Sequence, residues 1–320
     1  MGRPKGLITE WRPLGRFGTA VSERRCRSVT AMEAGREMDA KVVLITGGNA
    51  GIGKETAVGL AQKGARVLIT SRDAQRGGAA VAEIRERSGS DAVEVVALDL
   101  ADLGSVRRCA AEVLQRTDRL DVLVNNAGLV MSRRTETADG FETMFGVNHL
   151  GPFLLTNLLL DRLRASAPSR VVVVSSGAHK QSRTGIDFDD LQSERSFSPF
   201  TVYGMTKLAN IYFARELARR LEGTGVTANS LHPGFVATRF GRDGDTGPVL
   251  QFFGWLARPF ALSQAAGART SIWLASSSDV DGVSGLYFYK CASAHTSKAG
   301  ADDEAAKRLW AVSEELVGST

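Results

Sequence analysis

Tyr203-Gly-Met-Thr-Lys207 sets a phenol and an ammonium four residues apart, a spacing that puts both on one face of a helix. An ammonium close to a phenol favours the phenolate and lowers its pKa. Such a pair suits proton exchange with an alcohol or a carbonyl near neutral pH. Far upstream, Thr46-Gly-Gly-Asn-Ala-Gly-Ile-Gly-Lys54 is a glycine-rich turn that runs into a lysine. Two kinds of phosphate loop fit it in part. The Walker A loop needs Ser or Thr directly after the lysine to hold Mg²⁺, and Glu55 stands there instead. What remains is Gly47-x-x-x-Gly51-x-Gly53, with Asn49 and Ile52 between the glycines. Its glycines allow a close backbone approach to a pyrophosphate at a helix N-terminus.

The residue closing the second strand of an NAD-binding unit is usually acidic and bonds the ribose 2′-hydroxyl. Here Ser71 is followed by Arg72. No carboxylate repels a 2′-phosphate, and a guanidinium can clamp one. Lys54 adds a second positive charge. These residues predict NADP(H), preferred over NAD(H).

The elements that must position this chemistry follow from an alternation along the chain. Short apolar, β-branched runs at 42–46, 65–71, 93–100, 120–128, 170–176, 226–234 and near 285–289 read as strands. Helical patterns fill 53–63, 74–87, 103–117, 140–164, 201–221 and 263–276. Alternation of this kind predicts a mostly parallel sheet covered by helices on both faces. Ligands of such sheets bind beyond the carboxyl ends of the strands. The glycine turn, Arg72, Asp99, Asn125 to Gly128 and Ser175-Ser176 all fall at that edge.

With those positions set out, the chain resembles the short-chain dehydrogenase/reductase family over about residues 40–290. The resemblance rests on TGGNAGIG (46–53), LDL (98–100), NNAG (125–128), NHLG (148–151), VSS (174–176), YGMTK (203–207) and HPG (232–234). It is similar in particular to the retinol dehydrogenase group, through GIGKET, DGFETMFGVNHLG, FDDLQSE, KLANIYFARELARRL and GTGVTANSLHPG. The resemblance implies a single Rossmann-type, doubly wound parallel sheet of about seven strands with helices on both faces. It implies an NADP(H)-dependent oxidoreductase that moves hydride between nicotinamide and a lipophilic carbonyl or alcohol. Tyr203 would be the general acid/base. Lys207 would hold the nicotinamide ribose and lower the Tyr203 pKa. Ser176, or the adjacent Ser175, would bond the substrate oxygen, and Asn148 would organise a water link from Lys207. The cofactor surface would comprise Gly47, Asn49, Gly51, Ile52, Gly53, Arg72, Asp99, Leu100, Asn125, Ala127, Gly128, Tyr203, Lys207, Pro233, Gly234 and Thr238. Residues 249–262, with Phe252, Phe253 and Trp255, would form a flap over a lipophilic substrate or touch a membrane surface; the alternative is a short core-packed helix. No metal is implied. A homo-oligomer stays open, and so does an NADP-binding sensor or scaffold without turnover.

Composition bounds the rest. Of the formal net charge of +5, residues 1–38 carry +4, from eight Lys/Arg and four Asp/Glu. The body is nearly neutral, which speaks against a nucleic-acid-binding face. No stretch of about 18 uncharged apolar residues predicts a membrane span. Cys26, Cys109 and Cys291 are far apart and give neither a disulfide framework nor a metal spacing, as expected in a reducing compartment. Residues 1–38 read as a flexible basic extension, a start-site artefact before Met32 or Met38, or an organelle-targeting segment, ahead of one catalytic domain over 39–320. The expected location is cytoplasmic, or an organelle if that extension is a targeting peptide.

Overall fold

The computed structural model describes residues 37–236 and 262–318. Eight strands form one sheet in the order β3-β2-β1-β4-β5-β6-β7-β8. They are β1 (Val42–Ile45), β2 (Arg66–Ser71), β3 (Val93–Ala97), β4 (Val122–Asn125), β5 (Ser169–Val174), β6 (Val226–His232), β7 (Tyr287–Tyr289) and β8 (Ala292–Ser293). The first seven pair in parallel; β8 is antiparallel to β7. The expected doubly wound sheet is therefore present, with one short edge strand more than the seven expected. β8 spans two residues, too few to leave an alternating pattern in the sequence.

The sheet is apolar because both faces are covered. Successive side chains of a strand point to opposite faces. Accordingly Val42 and Leu44 join one buried cluster, while Val43 and Ile45 join the other. Helices α1 (Gly51–Gln62), α2 (Ala74–Ser88) and α8 (Gln264–Ser276) cover the second cluster. Helices α3 (Leu103–Arg116), α5 (Gly151–Leu158), α6 (Leu160–Ala165), α7 (Pro199–Arg220) and α9 (Asp303–Val317) cover the first.

The helix expected over 140–164 is broken. A three-residue turn α4 (Thr143–Phe145) leads into a π-helical turn, Gly146–Leu150, before α5 and α6. The C-terminal helix α9 was not among the expected elements, although Ala306, Leu309, Trp310 and Val317 mark its buried stripe. Among the described residues no helix is long and apolar enough to cross a membrane. Cys109 is a buried free thiol.

Candidate active site

The glycine turn leaves β1 with Gly47 at φ +65° and enters α1 with Gly51 at φ +57°, conformations that side chains rarely adopt. Thr46 and Asn126 hold it from beneath. The Thr46 hydroxyl accepts from the Asn126 and Ala127 amides at 2.9 and 3.0 Å, and Asn126 Nδ2 donates to the Thr46 carbonyl at 2.9 Å. A Cβ on Gly53 would lie 2.5 Å from both Asn126 Nδ2 and the Gly47 carbonyl oxygen. The third glycine is thus required by packing. Ala50 offers α1 no side-chain cap, and no acidic residue stands in its first turn. The N–H groups of that turn are available to an anion, as a bound pyrophosphate requires. Asn49 and Ile52 are half-buried beside them.

At the end of β2, the Ser71 hydroxyl turns back to the Asp73 backbone, and Arg72 is exposed. Lys54 is ion-paired with Glu83 of α2 at 2.5 Å. Glu55, the residue that breaks the Walker A pattern, pairs with Arg87 through two 2.8 Å bonds. Asp99 accepts from the Ala101 amide at 2.9 Å, and Leu100 is buried beside it. The Asn125 side chain points into the core, donating to Thr156 at 2.9 Å. Ala127 and Gly128 stay half-buried at the edge.

The reactive groups meet where β5, α7 and the π turn converge. Lys207 is 3% exposed; its Nζ donates to the Val174 carbonyl at 3.3 Å and lies 5.5 Å from the Tyr203 ring centre. Tyr203 is hydrogen-bonded to the Ser176 side chain. The two neighbouring serines separate cleanly. Ser175 is buried and donates to the Lys207 carbonyl at 2.6 Å, whereas Ser176 is half-buried at the mouth. α7 reaches this loop because residue 204 is glycine: a Cβ there would lie 2.8 Å from the Ala178 carbonyl oxygen.

Asn148 sits in the π turn and is fully buried. Its Oδ1 accepts from the Leu129 amide at 2.8 Å, while Nδ2 donates to the Leu129 carbonyl at 3.0 Å and to Thr206 at 3.1 Å. The side chain therefore ties the Gly128-Leu129 segment to α7. A Cβ on Gly128 would lie 3.1 Å from both Asn148 Oδ1 and Lys207 Nζ. Glycine at 128 is what lets this strand end approach Asn148 and Lys207 so closely.

Burial overrides the expected electrostatics of the pair. It pushes the Tyr203 phenol up to about 12, against the opposing Ser176 hydrogen bond, and lowers Lys207 to about 8. The expectation that Lys207 lowers the phenol is not met in the chain alone, because a buried phenolate loses more hydration than an ammonium 5.5 Å from the ring centre returns.

Pro233 and Gly234 follow β6, with Gly234 at φ +93°. Thr238, Phe252, Phe253 and Trp255 lie outside the described residues. Sequence reasoning missed Asn126, Gly204 and His232 as contributors. Each was visible inside a motif, but its role depends on contacts between segments distant in sequence.

This site and fold define the chain as a member of the short-chain dehydrogenase/reductase family, in its retinol dehydrogenase-like part. The short chain dehydrogenase family model matches residues 41–188. The chain is 48% identical over 296 residues to retinol dehydrogenase 14 of Homo sapiens, covering 88% of this chain and 87% of that protein. It is 45% identical over 300 residues to retinol dehydrogenase 12 of Mus musculus, covering 94% and 93%. Among solved structures, a protein from Mycobacterium paratuberculosis is similar with a TM-score of 0.69 at 36% identity, over 87% of this chain and 94% of that one. The Pseudomonas aeruginosa RhlG/NADP active-site complex is similar with a TM-score of 0.64 at 27% identity, over 80% and 97%. The chain is thus an oxidoreductase by family, with a nicotinamide cofactor and a small-molecule substrate bearing an alcohol or a carbonyl.

Proposed function

We propose that the chain is an NADP(H)-dependent reductase of lipophilic carbonyls, with Tyr203 as the proton donor. The observation that carries this reading is the hydrogen bond between Tyr203 and Ser176, with the Lys207 ammonium beneath the ring. A carbonyl oxygen within reach of both hydroxyls accepts two hydrogen bonds, which polarise the bond and stabilise charge developing on oxygen. The nicotinamide, when bound, supplies the hydride to the carbonyl carbon. Tyr203 gives its proton to the oxygen as the C–O bond becomes a single bond. A phenol raised to about 12 by burial is protonated at neutral pH, the form in which it can give a proton to the oxygen. Lys207, buried against the Val174 carbonyl below Tyr203, would hold the ribose hydroxyls of the cofactor.

Two further features support the cofactor and substrate class. Arg72 at the end of β2, where an NAD-binding unit usually carries a carboxylate, favours a 2′-phosphate, with Asp73 next to it in sequence, and the RhlG structure is an NADP complex. Three large apolar side chains are exposed near the mouth. Phe200 precedes Tyr203 by three residues and is 52% exposed; Phe235 and Leu262, 57% and 37% exposed, follow β6 and precede α8. A lipophilic substrate covers such groups, and the relatives named as retinol dehydrogenases are of that substrate type by name. The test is steady-state oxidation of NADPH and NADH against aldehydes from short-chain to all-trans-retinal. Turnover that favours NADPH and long apolar aldehydes supports the reading. Faster turnover with NADH, or with short polar aldehydes, refutes the corresponding half of it.

A further inference from the structure

The loop that carries Ser176 and the loop that carries Pro233-Gly234 leave adjacent strands, β5 and β6, at the mouth of the site. One ring atom joins them. His232 Nδ1 accepts from the Gly177 amide at 3.2 Å and from the Gly234 amide at 3.2 Å. A backbone N–H can only donate, so Nδ1 carries no proton and the neutral ring holds it on Nε2. The ring is fixed in plane by Tyr289 of β7, stacked at 4.7 Å and 17°. It also lies flat on Gly177, where a Cβ would come within 3.3 Å of Nε2. A single imidazole thus spans the ends of three neighbouring strands.

On the other side of the same loop, His179 has the opposite tautomer. Its Nε2 accepts from the Ser297 amide at 3.2 Å, which leaves Nδ1 to donate to the Ser176 carbonyl at 2.6 Å. Ser176 is therefore flanked by two neutral rings. His179, on the same turn and held by the Ser297 amide, donates to the Ser176 carbonyl, and His232 of β6 accepts from the next amide. The Ser176 hydroxyl itself accepts from the Ala178 amide at 3.2 Å, so the orientation of this short turn sets where the hydroxyl stands relative to Tyr203.

We propose that His232 is a positioning residue of the reaction: through Gly177 and Gly234 it fixes the Ser176 hydroxyl relative to the backbone expected at the nicotinamide end. It touches neither substrate nor cofactor in this role. The inference rests on the proposed function for its catalytic meaning, whereas the clamp itself can be measured on the chain without ligand.

The discriminating variants are His232→Asn and His232→Phe. The Asn Oδ1 reaches the place of Nδ1 and can accept the same two amides; Phe keeps the stack on Tyr289 and accepts nothing. In hydrogen–deuterium exchange on the full chain without cofactor, His232→Phe speeds exchange at Gly177 and Gly234 together, about ten-fold, as expected for weak bonds of this type. In steady-state assays it lowers kcat by about ten-fold with the KM for cofactor changed by less than about three-fold. His232→Asn restores both. An independent readout on the wild type is the ring ¹⁵N spectrum, which shows the proton of His232 on Nε2. A proton on Nδ1, unchanged protection at either amide in His232→Phe, or a His232→Asn variant as impaired as His232→Phe overturns the proposal. A wild type with no turnover on any carbonyl refutes the functional reading instead, and leaves the exchange and ¹⁵N results to decide the clamp.

Discussion

Tyr203 and Lys207 behave as a buried pair whose pKa values have moved apart, down for the lysine and up for the phenol, because burial disfavours the charged form of each. Replacing the phenol by Phe removes the proton donor and little volume. Tyr203→Phe is expected to lower kcat by about 10²–10⁴-fold, the usual contribution of a positioned general acid, with cofactor affinity retained in a fluorescence titration. The lysine adds a pH dependence with a definite sign. Its ammonium persists below about pH 8 and is lost above it, so the dissociation constant for cofactor should rise as pH climbs from 7 to 9. A flat profile would show that Lys207 does not hold the ribose. At the adenosine ribose end, Arg72→Asp should exchange a phosphate clamp for a 2′-hydroxyl acceptor and move the NADPH/NADH preference towards NADH by at least about ten-fold, read as the ratio of kcat/KM values. The residues behind these expectations were legible because their chemistry is written in local spacing: Tyr203 to Lys207 on one helix, Gly47 to Gly53 in one turn. Asn126 and His232 were not, because what they hold is decided by which strands lie side by side. Lys54, expected to serve the phosphate, is engaged by Glu83 from the next helix.

The elements bring these groups together through close approaches that have little tolerance. Gly53 is the sharpest case, since an added Cβ meets the Gly47 backbone and the half-buried Asn126 amide at 2.5 Å. Gly53→Ala is expected to cost about 1–3 kcal/mol as an overpacking change and to weaken cofactor binding, checked by chemical denaturation and titration of one preparation. On the opposite face, α9 packs behind the π turn. His149, directly after Asn148, bonds Ser313 of α9 at 2.8 Å, and Trp310 of α9 stacks among Phe153 and Phe213 with Arg220 4.3 Å above its ring. Trp310→Ala should cost about 3–5 kcal/mol, read as a lower denaturant midpoint. Alternation of strand and helix made most of this layout legible. The break at 146–150 was read over, although Gly146 and Gly151-Pro152 interrupt the helical pattern of 140–164; that the interruption takes the form of a π turn carrying Asn148 and His149 is visible only in the fold. The flap expected at 249–262 falls almost wholly outside the described residues and stays a proposal.

For the molecule as a whole, two buried faces and a parallel sheet were legible from apolar, β-branched runs, while the eighth strand was too short to announce itself. The buried histidines give the fold a directional response to acid. Burial lowers His149 to about 3 and His232 to about 4, and His179 moves the same way. His232 faces Tyr289 across its stack, with His179 and Lys180 on the adjoining turn adding unfavourable positive charge. The unfolded chain takes up protons on these rings near pH 6.5, whereas the folded chain protonates His232 only near pH 4 and His149 lower still. Stability is therefore intact above about pH 6.5 and is lost as pH falls towards 4, so Tm should decline across that window. A constant Tm from pH 7 to 4.5 would show that the rings are not buried as neutral groups. All of this serves one claim, that the edge formed by the β1, β4, β5 and β6 termini is a carbonyl-reducing site. The most direct measurement is oxidation of NADPH by the purified chain with a long-chain apolar aldehyde, with Tyr203→Phe alongside. Turnover that is faster with NADPH than with NADH and is lost in the variant is the predicted result. Tight NADPH binding without turnover on any aldehyde, or equal turnover in Tyr203→Phe, would contradict it.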